Sequence, residues 1–289
     1  MIAFRFELRP LDEIPPWDDP PSLHWFALTD GWYRIEADGH ELLRRARVDD
    51  PHPYIDYQVV RLWEDVSIVT PTVLEPVPED LIPFVESDPD TWACNFLEYV
   101  PVRGEGDDPN APDHPIVAAA LWHGDHNLDL CYLSNPPRLR FWRAIHGGRD
   151  EVTLDWRHED DGRIGFTAGP AVRLRLPTAD YLEAVREFDR ELIAAMRERV
   201  EELERRGGLP GVDIDLPGLR REHEDRAHWL SRRIDRIPKT DWDAIRQGAA
   251  ALLSPGSPRR GRPRQPGPDK ASAGEPAPSS RRPPDSPNG

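Results

Sequence analysis

Two short segments of the chain carry residue types that bind divalent metal ions. His123, Asp125 and His126 form one group, and His146 and Asp150 form a second group further along the sequence. Imidazole and carboxylate groups are ligands of zinc and of other divalent ions. A bound ion with an open position polarises a water molecule for hydrolysis. These five residues therefore raise the hypothesis of a metal-dependent hydrolase.

The hypothesis requires the two groups to lie close together. The segments 116–122, 128–133 and 139–143 have the character of consecutive antiparallel strands, which would place both groups at one end of a sheet. They would then lie two strands, or about 10 Å, apart. The competing interpretation is a pair of solvated turns, because His, Asp and Gly are common in turns and a short pattern is weak evidence. The sequence favours the interpretation of these residues as parts of two solvated turns.

The common catalytic motifs are missing from the sequence. There is no Gly-x-Ser-x-Gly motif, no glycine-rich phosphate loop ending in Lys-Ser or Lys-Thr, and no dinucleotide fingerprint after a strand. These motifs mark the commonest hydrolases, nucleotide enzymes and dehydrogenases. We therefore expect a protein without catalytic residues and without a cofactor, a divalent metal being the one alternative.

The strands and helices that would position these residues follow from hydrophobic periodicity. Alternating apolar residues predict three to four strands within 3–45. Short apolar runs separated by turn residues, such as Asp161-Gly162, predict about six more strands. They are 116–122, 128–133, 139–143, 151–157, 163–167 and 171–176.

Helical spacing of apolar residues predicts four longer helices that cover the sheets. The clearest is 178–206, with Thr178 as its N-cap, Phe188 on its buried stripe and Gly207 at its end. The predicted class is therefore α+β, built from antiparallel meanders. The remaining helices are 54–69, which we expect Pro71 to end, 216–236 and 240–253.

Composition divides the chain into a folded body and a tail. Residues 1–253 contain enough apolar residues for one large α+β domain, with two subdomains, 1–102 and 116–253, as the alternative. Residues 254–289 hold ten prolines and no large apolar residue, so we expect them to be disordered. Two distant cysteines and the lack of a long apolar run indicate a cytoplasmic protein that does not enter membranes.

The body is strongly acidic. The net charge of the chain is −16, and because the tail carries seven basic and three acidic residues, residues 1–253 carry −20. Such a charge repels nucleic acid and attracts cationic partners, although it also serves solubility alone. Our leading hypothesis is a non-enzymatic, acidic binding protein, an inhibitor or immunity-type partner of a basic protein.

The tail contains a short basic motif, Arg260, Gly261, Arg262 and Pro263. It is similar to the AT-hook, which places an extended Arg-Gly-Arg-Pro core in the narrow minor groove of A·T-rich DNA. The hypothesis that follows is weak DNA association through the tail. The competing interpretation is a solvated tail of biased composition, and outside this motif nucleic acid is not an expected partner.

Four segments of the body carry a family resemblance. They resemble an uncharacterised family of intracellular proteins of high-GC Gram-positive bacteria, a domain of unknown function, over residues 1 to about 253. The resemblance implies a bacterial cytoplasmic protein and assigns no catalytic role to any residue. The segments are Phe4-Arg5-Phe6-Glu7-Leu8-Arg9-Pro10-Leu11-Asp12, His24-Trp25-Phe26-Ala27-Leu28-Thr29-Asp30-Gly31-Trp32-Tyr33, 54–65 and 178–189.

Overall fold

The computed structural model describes residues 1–46, 52–99 and 114–254. The described residues up to Ser254 form one compact unit that combines helices with two antiparallel sheets, which confirms the α+β class. The expected disorder of the tail lies outside the described residues. The same holds for the motif of Arg260, Gly261, Arg262 and Pro263.

The first sheet is built around its second strand. This strand, β2, pairs with β1 on one side and with both β3 and β4 on the other. Phe4 and Ile35 point into the core, whereas Arg5 and Glu7 on the opposite face are accessible, as the alternating pattern predicts. The strands are β1 (Ile2–Leu8), β2 (Asp30–Ala37), β3 (His40–Leu42) and β4 (Ile55–Gln58).

Two expectations about the segment after β3 are wrong. Residues 55–58 form strand β4 rather than the start of a helix, and helix α1 (Val59–Leu74) follows directly. Pro71 does not end α1, because it lies inside the last turn and is buried with Val69 and Val73. A proline at this place removes one backbone hydrogen bond. The packing of a helix that is buried along most of its length outweighs that loss.

The second sheet has three strands, fewer than the six expected within 116–176. It runs in the order β5 (Arg138–His146), β6 (Arg149–Arg157) and β7 (Ala171–Pro177). The other three predicted strands, 116–122, 128–133 and 163–167, are wrong.

Local chemistry explains two of these errors. Residues 116–122 belong to helix α4 (Pro115–Gly124), where His114 caps the first turn and three consecutive alanines favour helix. In 163–167 the Asp161 carboxylate accepts the backbone N–H groups of Arg163 and Ile164, so the chain turns instead of extending. The remaining segment, 128–133, buries Leu128 and Leu130 without forming a strand.

The long helix has the predicted bounds. Helix α5 (Thr178–Arg206) ends at Gly207, whose φ of 71° is the left-handed conformation that glycine adopts readily. Phe188 is 1% exposed and its ring stacks on Phe4 at 5.5 Å, which confirms that it belongs to the core. Thr178 is not the N-cap, because its hydroxyl donates to Asp150 Oδ1 at 2.6 Å.

Three shorter helices complete the body. The predicted helix 216–236 is interrupted at residues 227–228 and forms α6 and α7, whereas the predicted helix 240–253 matches α8. No helix among the described residues is long and apolar enough to cross a membrane. The three are α6 (Leu216–Arg226), α7 (Trp229–Ile234) and α8 (Trp242–Leu253).

The second sheet separates two hydrophobic cores. The main core lies between the two sheets, α1 and α5, and takes residues from Ile2 to Leu230. The second core is formed by α2 (Ile82–Val85), α3 (Ala93–Tyr99), α4 and α8. Trp142 of β5 is the side chain that the sheet contributes to this second core. The second sheet therefore has packed side chains on both faces.

Candidate functional site

His123, the first residue of the expected metal site, lies at the end of α4 and is 1% exposed. Its Nε2 lies 2.9 Å from Arg140 Nη1. A guanidinium group can only donate hydrogen bonds, so Nε2 is the acceptor in this contact. The same Nη1 also donates to the carbonyl of Ser87 at 2.8 Å. Burial, followed by the charge of Arg140, lowers the pKa of His123 to about 4.

His126 is also buried and neutral. Its Nδ1 donates to the carbonyl of Trp122 at 2.9 Å, and burial lowers its pKa to about 4. Asp125, between the two histidines, is exposed at the C-cap of α4. The two imidazoles are thus structural parts of the contact between α4 and β5.

His146 and Asp150 lie elsewhere, at the turn between β5 and β6. His146 Nδ1 is 3.2 Å from Glu79, and Asp150 pairs with Arg143 at 2.7 Å. Phe141 N–H donates to the carbonyl of His126, so His126 lies beside Phe141 of β5. Phe141 is five residues from His146, which is about 16 Å at the rise of a strand.

The structure therefore brings His123 and His126 together, but not with His146 and Asp150. The reason is that 116–122 is a helix, so the two segments are not turns of one meander. Within residues 1–46, 52–99 and 114–254, no three His, Cys, Asp or Glu side chains are placed to hold a metal ion.

A buried charge network that the sequence did not predict lies beside these histidines. Asp155 accepts hydrogen bonds from Arg140 at 2.8 Å, from Arg173 at 2.9 Å and from Arg157 at 3.2 Å. Burial alone would raise the pKa of Asp155, but the bonds from Arg173 and Arg140 outweigh burial and the pKa lies below its ordinary value. Arg140 also donates to the carbonyl of Val85, so the network fastens α2 to the second sheet.

A second titratable group is buried under the first sheet. Asp65 of α1 is 5% exposed, and burial raises its pKa to about 7 against the opposing effects of the Tyr132 hydroxyl and the Arg61 charge. Tyr33 donates to Tyr132 at 3.1 Å, while Tyr57 stacks on the Tyr132 ring at 4.9 Å. The sequence signal for this group is an aspartate on the apolar side of a helix.

The outer edge of β1 is unpaired, although the Arg5 side chain reaches past it to Glu187 of α5 at 3.6 Å. No described strand pairs with it, because β1 lies at the margin of the first sheet. The bonds from Arg9 N–H to the Asp30 carbonyl and from Asp38 N–H to the Met1 carbonyl direct the odd-numbered residues of β1 toward β2. In an antiparallel pair the alternate residues point the other way. The N–H and C=O groups of Phe4 and Phe6 therefore face outward.

An acidic groove of about 630 Å³ runs between this edge and the C-terminal half of α5. We call it the β1 groove. Its guanidinium groups are engaged, since Arg205 pairs with Glu202 and Arg199 donates to the backbone carbonyls of Leu28 and Arg9. Its floor is Phe6, Leu8, Leu11 and Ala195, and its carboxylates are Glu198, Glu201 and Glu202, since the side chain of Glu7 points to the opposite face of the sheet.

The carboxylates of the β1 groove are not all neutralised. Glu198 and Glu201 form no ion pair with any residue of the part that the structure describes, and Glu201 is exposed. In the sequence, Glu198, Glu201 and Glu202 stand at helical spacing, which predicts one acidic helix face. The sequence could not show that this face borders an unpaired strand edge.

The comparisons with known proteins identify a family without assigning an activity. No curated protein and no solved structure matches the chain. A family model does match, over residues 3–248, which span both sheets and all the helices up to the middle of α8. The chain therefore belongs to a family of unknown function, DUF5984.

Proposed function

We propose that this protein is a non-enzymatic binding protein whose β1 groove holds an extended, basic segment of a partner protein. The observation that carries the proposal is the unpaired edge of β1 beside a groove with three carboxylates. An extended peptide that adds a strand to a sheet edge gains affinity from main-chain hydrogen bonds and specificity from alternate side chains. The β1 groove offers both.

The backbone part of the interaction follows from the register of β1. The outward N–H and C=O groups of Phe4 and Phe6 are the donors and acceptors that an added strand requires. Every second side chain of that strand would point toward α5, where Glu198 and Glu201 lie. Lysine or arginine at those positions would supply the positive charges that these two carboxylates lack.

The long-range part of the interaction follows from net charge. Residues 1–253 carry −20, and a field of one sign raises the association rate of an oppositely charged partner, most strongly at low ionic strength. The field therefore favours basic partners before contact, and the β1 groove selects among them on contact.

The test uses blocked peptides in which valine alternates with arginine or with glutamate. We expect calorimetry to detect binding of the arginine peptide only, with affinity that falls as salt rises. A Glu198→Gln/Glu201→Gln variant should bind about tenfold more weakly, since two exposed pairs contribute about 0.5–1 kcal/mol each. The matched control is Glu159→Gln/Glu224→Gln, which removes two exposed carboxylates that do not line the groove.

Methylated peptides separate strand addition from simple charge attraction. Methylation of the amides that face β1 should abolish binding, whereas methylation of the alternate amides should leave it intact. Equal binding of the two methylated peptides would overturn the proposal. So would an unchanged affinity of the Glu198→Gln/Glu201→Gln variant.

We further propose that the protein works in the reducing cytoplasm. Cys94 and Cys131 are both exposed and unpaired, and free exposed thiols are typical of reducing compartments rather than of oxidising ones. Fractionation of the native host tests this directly, because the protein should appear with cytoplasmic markers and not in secreted fractions.

A further inference from the structure

A second groove lies on the outer face of the second sheet, next to the second core. It encloses about 370 Å³, within the range of about 300–1,000 Å³ that is typical of small-molecule sites. Trp142 and Thr153, which are 1% and 4% exposed, form its floor. It shares no lining residue with the β1 groove. We call it the Trp142 groove.

The walls of the Trp142 groove are largely apolar. Val77, Ile82 and Pro83 line the groove together with Ala144 of β5, which lies on the same face of the sheet as Trp142. A ligand with an apolar or aromatic body would pack between these walls, above the Trp142 indole, which is itself almost inaccessible.

Two of the acidic groups around the groove are already paired. Glu79 lies 3.2 Å from His146, and Glu86 lies 3.2 Å from Arg173. We therefore do not expect the cationic group of a ligand to pair with either of these two carboxylates.

Two further charges of opposite sign line the groove without partners. Neither Glu151 nor Arg175 forms an ion pair with any residue in the described ranges. Arg175 stands opposite Thr153, and Glu151 stands opposite Pro177. Glu151 and Arg175 are therefore diagonal neighbours on one face, whose β-carbons in such a sheet are about 7 Å apart. Long side chains at this spacing can reach each other, but the Glu151 carboxylate and the Arg175 guanidinium form no ion pair in the part of the chain that the structure describes.

We propose that the Trp142 groove binds a small zwitterion with an apolar side chain, of the class of the aromatic α-amino acids. The ammonium group pairs with Glu151, and the carboxylate receives hydrogen bonds from Arg175, whose planar guanidinium suits a carboxylate. The aromatic side chain lies between the apolar walls formed by Ile82, Pro83 and Ala144. A ligand with both charges satisfies both protein groups at once, which neither a simple amine nor a simple acid does.

The test compares four probes that share one phenyl group. These are phenylalanine, phenethylamine, 3-phenylpropionate and N-acetylphenylalaninamide, measured by saturation-transfer NMR and calorimetry on the full chain. We expect phenylalanine to bind at least about tenfold more tightly than each single-charge probe, and the neutral amide to bind most weakly. Equal affinity of phenylalanine and the neutral amide would overturn the proposal.

Variants then assign each charge to its partner. Glu151→Gln should weaken phenylalanine and phenethylamine but not 3-phenylpropionate, and Arg175→Gln should weaken phenylalanine and 3-phenylpropionate but not phenethylamine. Ala144→Phe fills the groove and should abolish binding of all probes. Binding of phenylalanine that survives Ala144→Phe would place the ligand elsewhere and sink the proposal.

Matched controls and a folding check complete the design. Glu159→Gln and Arg163→Gln remove exposed charges outside the groove and should leave every affinity unchanged. Thermal melting identifies any variant that fails to fold. The Trp142 groove and the β1 groove have separate linings, so the failure of either proposal leaves the other intact.

Discussion

The guanidinium of Arg140 and the carboxylate of Asp155 form an ion pair of 2.8 Å in which the two side chains are 0% and 4% exposed. They stand directly opposite each other on β5 and β6. Because Asp155 also binds Arg157 and Arg173, one carboxylate holds three guanidinium groups together under the second core. Removal of that carboxylate leaves three positively charged guanidinium groups close together, and the guanidinium of Arg140 is buried.

We therefore expect Asp155→Asn to lower the free energy of unfolding by about 3–5 kcal/mol, the cost of a buried charge that has lost its partner. Urea unfolding of the variant and the parent at neutral pH measures this change in the free energy of unfolding. Asp90→Asn is the control, since Asp90 also pairs with an arginine but is 81% exposed, and its loss should cost less than about 1 kcal/mol. Equal effects of the two variants would contradict this account.

The buried carboxyl group of Asp65 should make the stability of the protein depend on pH. Its pKa is about 7 in the folded state and about 3.9 when unfolded. The folded state therefore holds the proton more tightly, and stability falls as pH rises from about 4 to about 7. Asp65→Asn removes this dependence and should be more stable than the parent at pH 8 by up to about 4 kcal/mol.

Urea midpoints of the Asp65→Asn variant and the parent over that pH range provide the check. Their difference should shrink to less than about 1 kcal/mol near pH 4, where the aspartate is neutral in the folded chain and about half ionised in the unfolded chain. Parallel profiles would show that Asp65 is ionised in the folded protein at neutral pH.

The buried histidines should have the opposite effect on stability, which they lower as the pH falls. The pKa values of His123 and His126 are about 4 in the folded state and about 6.5 when unfolded. The unfolded chain therefore binds protons first, and stability is lost as pH falls from about 6.5 to about 4. In His126→Asn, which keeps a donor for the Trp122 carbonyl, the loss of stability between pH 7 and pH 5 should be smaller than in the parent.

The measured quantity for His126→Asn is the difference in unfolding free energy between the two pH values, because the loss of the ring also lowers stability at every pH. A parent protein whose stability is the same at pH 7 and pH 5 after correction for Asp65 would contradict the prediction.

The contact between α4 and α8 depends on Gly248. A Cβ at this position would lie 2.0 Å from the Pro115 carbonyl oxygen and 2.6 Å from the Ala119 Cβ. Gly248→Ala should therefore push α8 away from α4 and lower the free energy of unfolding by about 1–3 kcal/mol, as overpacking does. Gly169→Ala is the matched control, because nothing lies within 4 Å of a Cβ there.

Hydrogen exchange locates the effect of Gly248→Ala. Faster exchange should be confined to α4, α8 and the segments of the second core, while α5 stays protected. Uniformly faster exchange would show that the two cores do not respond separately.

The long helix was predictable because its signals are local. Phe188 and its neighbours on the stripe recur at helical spacing, and Gly207 supplies the stop. The segment 116–122 was not predictable, because consecutive apolar residues have no period that separates a strand from a buried helix. Strand β4 was missed for a related reason, since the helical pattern of α1 extends backward over Ile55 and hides the strand.

The candidate sites depend on contacts that a sequence does not display. Glu198 and Glu201 are visible as an acidic helix face, but that β1 is an edge depends on which strands pair with β2. Arg175 and Glu151 lie in separate strands, and only the register of β6 with β7 makes them neighbours. Asp155 likewise receives its three arginines from all three strands of its sheet.

The composition of the second core sets an order of events during synthesis. Trp92 and Trp122 leave the ribosome well before α8, which supplies Ile245, Ala249 and Leu252 to the same core. Asn95 also donates to the Leu252 carbonyl at 2.7 Å. The residues of the second core therefore remain exposed to solvent until α8 has emerged. Until then two tryptophans and the apolar side of α4 are accessible to chaperones, whereas all residues of the main core, up to Leu230, have been synthesised before α8. The second core is therefore the part of the molecule where stalled or truncated translation products are most exposed to aggregation.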